Sequence, residues 1–381
     1  MLQKIPKFMK EANVPGLSIT IIRDYKPYWN QSFGTANTDS RETVRQNTIF
    51  EAASLSKPVL AYYALQLCDR GLLALDTPLT EYTPEPYIHD EPKLGLITMR
   101  HVLSHTTGFP NWRKNGTPLR IMLPPGERFG YSGEGYIYLQ KAMEQVTGKT
   151  AIEYIEPVLE SIGMVDSRFI WTGEEKMPLA NGHDENGKPV NKKIWPEMRG
   201  SASLHTTSTD YARFMCSVMQ TSDDEHQLSP EMTHEMFSSQ IQVNDNAPWH
   251  KDWPKPVVET DAQVSWGLGW GLQQTPNGSS FWHWGDNDHY HALAMGFPEK
   301  GHGIVILTNG ANGQRVYLRI MREIMKGVYP GLSWLERVYK QQQHRAHEPL
   351  MEVLNDEDAS IRYLAEKTLR EDFGVYFDCS T

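Results

Sequence analysis

The chain lacks the features that mark several specialised classes of protein. Its 381 residues include only three cysteines, Cys68, Cys216 and Cys379. So few cysteines, odd in number and far apart, predict neither a disulfide framework nor a zinc site. No apolar run approaches the ~20 residues that a membrane span needs. The opening stretch MLQKIPKFMKEANVPG has no apolar segment typical of a signal peptide. We therefore expect no membrane span, and either a cytoplasmic protein or a processed periplasmic or secreted form.

Positive charge is also scarce. The net charge is −10 and no block of lysines and arginines interrupts it, which argues against a nucleic-acid partner. The composition, 39% apolar and 22% charged, is that of an ordinary soluble protein. The length allows two medium domains, or one domain that carries a large insertion. Nothing in the composition predicts an oligomeric state.

Strand patterns occur near both ends of the chain. GLSITIIRD and KPYWNQSFG flank a short turn at 24–26, which predicts an antiparallel hairpin. YHALAMGF and GHGIVILTNG flank a second turn at 298–301, and SWGLGWGLQ and SFWHWG precede them. Between these regions, helical runs alternate with loops rich in proline and glycine. The pattern favours one sheet built from both ends, with helices inserted.

These observations predict an α/β (α+β) fold in which an antiparallel sheet is flanked by helices. We expect a discontinuous sheet domain over 1–57 and 206–331, and a mainly helical domain over 58–205. A polar, helix-prone tail follows over 332–381, and the sequence assigns it no role.

Ser54 and Lys57 lie three residues apart at the predicted start of an apolar helix, EAASLSKPVLAYYALQLCDRG. Side chains at this spacing share one face of a helix. A serine needs a base to become a nucleophile, and a desolvated lysine can be held neutral for that task. The free N–H of a serine at a helix N-terminus can also bind a developing oxyanion. Alone, these two residues are equally compatible with a helix cap and a surface cation.

Two further stretches carry candidate site residues. In PGERFGYSGEGY, Tyr131 lies on a loop flanked by glycines, which can hold a tyrosine rigidly toward a cleft. The same stretch is equally typical of a simple turn before a helix. FWHWGDNDHYHALAMGF contains histidines and aspartates that resemble a metal cluster, and His289 and His291 would share one face of a strand. No second cluster supplies further ligands, so we expect no metal and no other cofactor.

Together, and in this order along the chain, these motifs resemble the serine β-lactamase-like family. The family includes class C β-lactamases, DD-peptidases, D-amino-acid-specific peptidases and family VIII carboxylesterases. VPGLSITII, TIFEAASLSKP, RGLLALDTPL, MRHVLSHTTGFP, PGERFGYSGEGY, GSASLHTTSTDYARFM and WGLGW support the resemblance, which runs from about residue 14 to 309. It implies the β-lactamase/transpeptidase-like fold.

The resemblance implies roles for individual residues. Ser54 would be the acylated nucleophile, Lys57 the base and Tyr131 the proton shuttle to the leaving group. The backbone N–H groups of Ser54 and Asp286 would form the oxyanion hole. His283, Trp284 and Gly285 would form the far wall of the cleft on the closing strand.

The chain departs from β-lactamases at two places. Gly133 stands where they usually have asparagine, and His283 and Trp284 replace the lysine and threonine of their closing strand. We therefore predict a serine hydrolase that cleaves small esters or amides. The alternatives are a β-lactamase or D-Ala-D-Ala-type peptidase acting on a lactam or peptide, an acyltransferase on the same scaffold, and a non-catalytic binding protein.

Overall fold

The computed structural model describes residues 2–113, 116–221, 227–244, 260–325 and 327–340; most of the predicted tail, with Cys379, lies outside these ranges. The strands are β1 (Gly16–Arg23), β2 (Lys26–Asn37), β3 (Glu42–Thr43), β4 (Phe50–Ala53), β5 (Leu204–Thr206), β6 (Ile241–Asn244), β7 (Thr260–Trp266), β8 (Gly271–Thr275), β9 (Gly278–Asp286), β10 (His291–Phe297) and β11 (His302–Thr308). The α-helices are α1 (Ile5–Glu11), α2 (Ser56–Asp69), α3 (Met99–Leu103), α4 (Gly133–Thr147), α5 (Ala151–Ser161), α6 (Ser208–Met219), α7 (Pro230–Met236), α8 (Gly313–Ile324) and α9 (330–340). Short 3₁₀ helices cover Leu2–Lys4, Leu79–Glu81, Pro92–Leu96 and Pro298–Lys300.

Nine of these strands form one antiparallel sheet in the order β3-β2-β1-β11-β10-β9-β8-β7-β6. The early hairpin joins the late strands through β1 and β11, where Leu17 pairs with Thr308. β4 and β5 form a separate two-stranded ladder beside it. The prediction of one antiparallel sheet built from both ends of the chain is therefore confirmed.

The two predicted hairpins have the turns that their sequences require. Between β1 and β2, Asp24 and Tyr25 both have positive φ angles, of 54° and 58°, which is the geometry of a type I′ turn. Between β10 and β11, a 3₁₀ turn over Pro298–Lys300 ends at Gly301, whose φ is 62°. Both hairpins are thus confirmed with their turns at the expected residues.

Apolar side chains pack on both faces of the sheet. One core cluster lies between the sheet and the helices α2, α4, α5 and α6. The second lies on the opposite face, under α1, α8 and α9. The predicted domain boundaries at 57/58 and 331/332 fall inside α2 and α9, and the division into domains stays a prediction. Among the described helices, none is both long and apolar enough to cross a membrane.

Helix α9 belongs to the second core cluster, although it begins where the tail was predicted. Trp334 is fully buried. Its ring lies 5.7 Å from that of Trp284, 5.8 Å from that of Trp282 and 6.1 Å from that of Phe129. The helix therefore supports β9 and the loop that leads to Tyr131.

We expect Trp334→Ala to lower the free energy of unfolding by about 3–5 kcal/mol, because it removes a large buried aromatic side chain. Urea denaturation followed by far-UV circular dichroism would measure the loss. Lys340→Ala is the matched control on the same helix; its side chain is exposed, and we expect a change within about 0.5 kcal/mol. Equal losses in the two variants would contradict the packing role of Trp334.

Candidate active site

Ser54 lies on a tight turn between β4 and α2. Ala53, the residue before it, has a φ of 51°, which is uncommon for a residue with a side chain. The turn is held by a hydrogen bond from the Leu55 N–H to the Ala52 oxygen (3.1 Å) and by the Ser56 hydroxyl, which donates to the Ala53 oxygen (2.6 Å). The hydroxyl of Tyr211 donates to the Leu55 oxygen at 3.0 Å. The strained backbone before Ser54 is thus fixed from several sides.

Lys57 begins the first turn of α2 and is fully buried. Its Nζ lies 3.1 Å from the Ser54 Oγ and donates to the Ser201 carbonyl oxygen at 2.7 Å. Burial lowers the pKa of Lys57 from 10.5 to about 7, because the charged form loses its hydration. A substantial fraction of Lys57 is therefore neutral at neutral pH, with a lone pair that can accept the serine proton.

Three aromatic rings surround the amine of Lys57. The ring centroids of Tyr131, Trp112 and Tyr136 lie 4.8, 5.6 and 5.8 Å from Nζ. Such rings attract the ammonium form through their π-faces and partly offset the cost of burying it. Nζ is therefore enclosed by aromatic side chains, the Ser54 hydroxyl and the Ser201 carbonyl group.

Tyr131 lies on the loop before α4 and is 3% exposed. Burial raises the pKa of its hydroxyl well above 10, a hydrogen bond with Ser54 acts in the opposite direction, and the charge of Asp286 raises the pKa further. The tyrosine therefore keeps its proton at neutral pH and can donate it. The structure thus brings Ser54, Lys57 and Tyr131 together, as the sequence predicted.

The end of β9 forms the opposite wall. His283 is fully buried, and its Nδ1–H donates to the Trp284 carbonyl oxygen at 2.7 Å. Burial, together with the nearby charge of Lys57, lowers the pKa of His283 to about 3, so the ring stays neutral. Trp284 lies against Tyr131, with 5.0 Å between the ring centroids. His283 and Trp284 therefore line the site as neutral groups.

Gly285 explains how β9 approaches the nucleophile. A Cβ on this residue would overlap the carbonyl oxygen of Ala52, two residues before Ser54. Only glycine allows the closing strand to lie so close to β4. Just beyond β9, the Asn287 amide donates to the buried carboxylate of Glu51 on β4, which ties the same two strands together. The assignment of the Ser54 and Asp286 N–H groups as the oxyanion hole stays a prediction.

Gly133 begins α4, and the indole of Trp112 covers it. A Cβ on Gly133 would lie 2.5 Å from the indole Cη2. The helix after Tyr131 thus starts at Gly133, two residues earlier than the turn reading of this loop implied. A substrate-binding residue was predicted at this position, and the group that occupies the space is a tryptophan from another loop.

Sequence reasoning missed several residues of the site: Glu51, His105, Trp112, Ser201 and Asn287. His105 is buried, its Nδ1 accepts from the Ser132 N–H at 3.1 Å, and its ring lies 4.3 Å from that of Tyr131. The segment MRHVLSHTTGFP supported the resemblance to the family, but only the folded chain shows that His105 supports the tyrosine loop.

The histidines of the suggested metal cluster do not converge. Strand β10 begins at His291, and His289 lies in the preceding loop, so the expectation that they share one strand face is wrong. The tight loop after β9 moves His289 out of the strand. Over the described ranges, no group of three or more His, Cys, Asp or Glu side chains is arranged to hold a metal ion.

A sheet assembled from both ends of the chain, with helices on each face and a Ser-Lys pair at the start of a central helix, defines the β-lactamase/transpeptidase class of fold. The chain belongs to the Beta-lactamase family, whose model matches residues 2–323. The resemblance drawn from the motifs is therefore confirmed.

Curated relatives of the chain have different names. Protein flp of Staphylococcus aureus (strain N315) is 25% identical over 324 residues, which cover 79% of this chain and 61% of that protein. Esterase EstB of Burkholderia gladioli is 27% identical over 218 residues, which cover 49% of this chain and 54% of that protein. The chain thus spans less than two thirds of the length of either relative.

A solved class C beta-lactamase superposes on this chain with a TM-score of 0.69, at 18% identity, over 86% of this chain and 96% of that one. At this identity the likeness shows the fold alone, and it confirms the predicted fold class.

The pKa values of the site predict how activity depends on pH. We expect kcat/KM for an ester to rise with pH with a midpoint near 7, because Lys57, with a pKa of about 7, must be neutral to accept the serine proton. The activity should then stay high at alkaline pH, since the raised pKa of Tyr131 keeps the phenol protonated. A pH-rate profile from 5 to 10 would measure both limbs. His283→Gln should keep the midpoint; its loss would identify the histidine as the base.

Proposed function

We propose that the protein is a serine hydrolase that works through an acyl-enzyme on Ser54. The observation that carries this proposal is the fully buried amine of Lys57, which lies 3.1 Å from the Ser54 Oγ with its pKa lowered to about 7. Burying an amine is costly unless the site uses it. A neutral amine in hydrogen-bond contact with a serine on a strained turn is the arrangement that activates a serine nucleophile.

The proposed reaction runs in two stages. Lys57 takes the proton of Ser54 as the serine oxygen attacks the substrate carbonyl carbon, and the N–H groups of Ser54 and Asp286 stabilise the oxyanion. Tyr131 then gives its proton to the leaving group as that bond breaks, and the Lys57 ammonium replaces the proton. In the second stage water attacks the acyl-enzyme, with Lys57 and Tyr131 accepting and returning its proton.

Small esters or amides are the substrates that the site supports best. Gly133 offers no side chain to bind a substrate amide. On the closing strand, His283 is neutral and Trp284 is 4% exposed, so neither supplies a charge for a substrate carboxylate. A small ester needs neither group, and its leaving group departs readily.

A β-lactamase or a D-Ala-D-Ala-type peptidase is the second candidate. It is favoured by the shared fold with a class C beta-lactamase and by the presence of Ser54, Lys57 and Tyr131 in one site. Parallel assays with p-nitrophenyl acetate and nitrocefin would compare the two. Faster turnover of nitrocefin than of the ester would select this second function.

We expect Ser54→Ala to reduce ester hydrolysis by about three orders of magnitude or more, because no other group can take the covalent role. A fluorophosphonate probe followed by peptide mass spectrometry should place the label on Ser54. Ser132 is the matched control, since it caps α4 by accepting from the Gly135 N–H. Ser132→Ala should still be labelled. A label on Ser132, or full labelling of Ser54→Ala, would contradict the assignment.

Lys57 and Tyr131 should behave as one unit in double-mutant kinetics. Lys57→Ala and Tyr131→Phe should each reduce kcat by roughly two to four orders of magnitude, and the double variant should be little worse than the slower single variant. The reason is that both residues move the same proton. Fully additive losses in steady-state kinetics would rule out a shared relay.

A further inference from the structure

Trp112 takes the space above Gly133, at the edge of the proposed catalytic group. Its indole atoms Cη2 and Cζ3 lie 2.5 and 2.6 Å from where a Cβ on Gly133 would be. Contacts that short do not occur between real atoms, so a side chain at position 133 and this indole position exclude each other. The tryptophan and the glycine are therefore a matched pair.

The chain on both sides of Trp112 is anchored to the start of α4. The Asn111 Oδ1 accepts from the Gly133 N–H at 2.9 Å, and the Asn111 carbonyl oxygen accepts from the Glu134 N–H at 2.9 Å. On the other side, the Arg113 Nε donates to the buried carboxylate of Glu134 at 2.9 Å. These bonds fix the backbone of the loop where the indole projects from it.

The indole is the solvent-facing ring of the three around the Lys57 amine. Trp112 is 42% exposed, whereas Tyr131 and Tyr136 are buried. A substrate that reaches Ser54 passes beside this exposed ring. Trp112 also lines a groove of about 840 Å³ that runs between the indole and the face of α4. Its lining includes the apolar side chains of Ile137, Ile152 and Met198.

We propose that Trp112 is a specificity-determining residue, and that its indole packs against a flat apolar group of the substrate next to the scissile bond. This inference rests on the proposed function and names its substrate class: esters that carry an aromatic or similarly flat apolar group. An indole supplies a wide apolar surface for such a group. It also occupies the space that a hydrogen-bonding side chain at position 133 would need.

The first experiment compares three esters: methyl acetate as the reference, methyl phenylacetate with an aromatic acyl group, and benzyl acetate with an aromatic alcohol. The wild type should prefer at least one aromatic ester in kcat/KM. Trp112→Ala should reduce that preference by about tenfold, mainly through KM, because stacking on an aromatic ring and the area it buries are lost. Trp112→Phe should retain most of the preference. A pH-stat assay measures all three rates without a chromogenic group.

Tyr28→Ala is the matched control, since Tyr28 is an aromatic residue that is 65% exposed and lies on β2. It should leave both preferences unchanged. If Trp112→Ala changes neither ratio of aromatic ester to methyl acetate by more than twofold, the inference is wrong. A wild type with no preference for either aromatic ester would also overturn it.

The second experiment tests the pairing with Gly133. Gly133→Ala should slow hydrolysis of the preferred aromatic ester by displacing the indole, and the same substitution should have little effect in a Trp112→Ala background. Equal losses in both backgrounds, or no loss when Trp112 is present, would contradict the pairing. Fluorophosphonate labelling of Ser54 separates the two proposals. A wild type that is not labelled refutes the proposed hydrolase, whereas labelled variants with unchanged ester ratios refute only the role of Trp112.

Discussion

The burial of one amine, that of Lys57, is the constraint on which the rest of the site depends. A pKa lowered from 10.5 to about 7 corresponds to a loss of roughly 5 kcal/mol for the charged form relative to the neutral one. The Ser201 carbonyl oxygen, the Ser54 hydroxyl and three aromatic rings make this burial tolerable. The surrounding core is closely packed, since almost every residue of α2 from Ser56 to Leu67 is buried.

That constraint also separates the proton donors from the acceptors. The same desolvation that releases the proton of Lys57 strengthens the hold of Tyr131 on its own proton and keeps His283 uncharged. One dry pocket thus sets an amine base beside a phenol acid, with no carboxylate in direct contact with either. Asp286 influences Tyr131 only through its charge.

Local sequence patterns predicted the parts of the fold that depend on neighbouring residues. The spacing of Ser54 and Lys57 predicted their contact, and alternation with turn residues predicted both hairpins. Contacts between distant segments could not be read in this way. No local pattern indicates that Trp112 covers Gly133, that Gly285 meets the Ala52 carbonyl group, or that α9 packs behind β9. These depend on how loops far apart in the chain come together in three dimensions.

The pairing of β1 with β11 has a consequence for synthesis of the protein on the ribosome. The hairpin of β1 and β2 emerges early, but its neighbour in the sheet, at Leu17 and Thr308, emerges only after most of the chain. During that interval the inner edge of β1 has no partner strand, although β1 is apolar and nearly all buried in the folded protein. An unpaired apolar edge is prone to join other chains. Slow elongation late in the coding sequence should therefore favour aggregation, and a chaperone that shields this edge should raise the yield of folded protein.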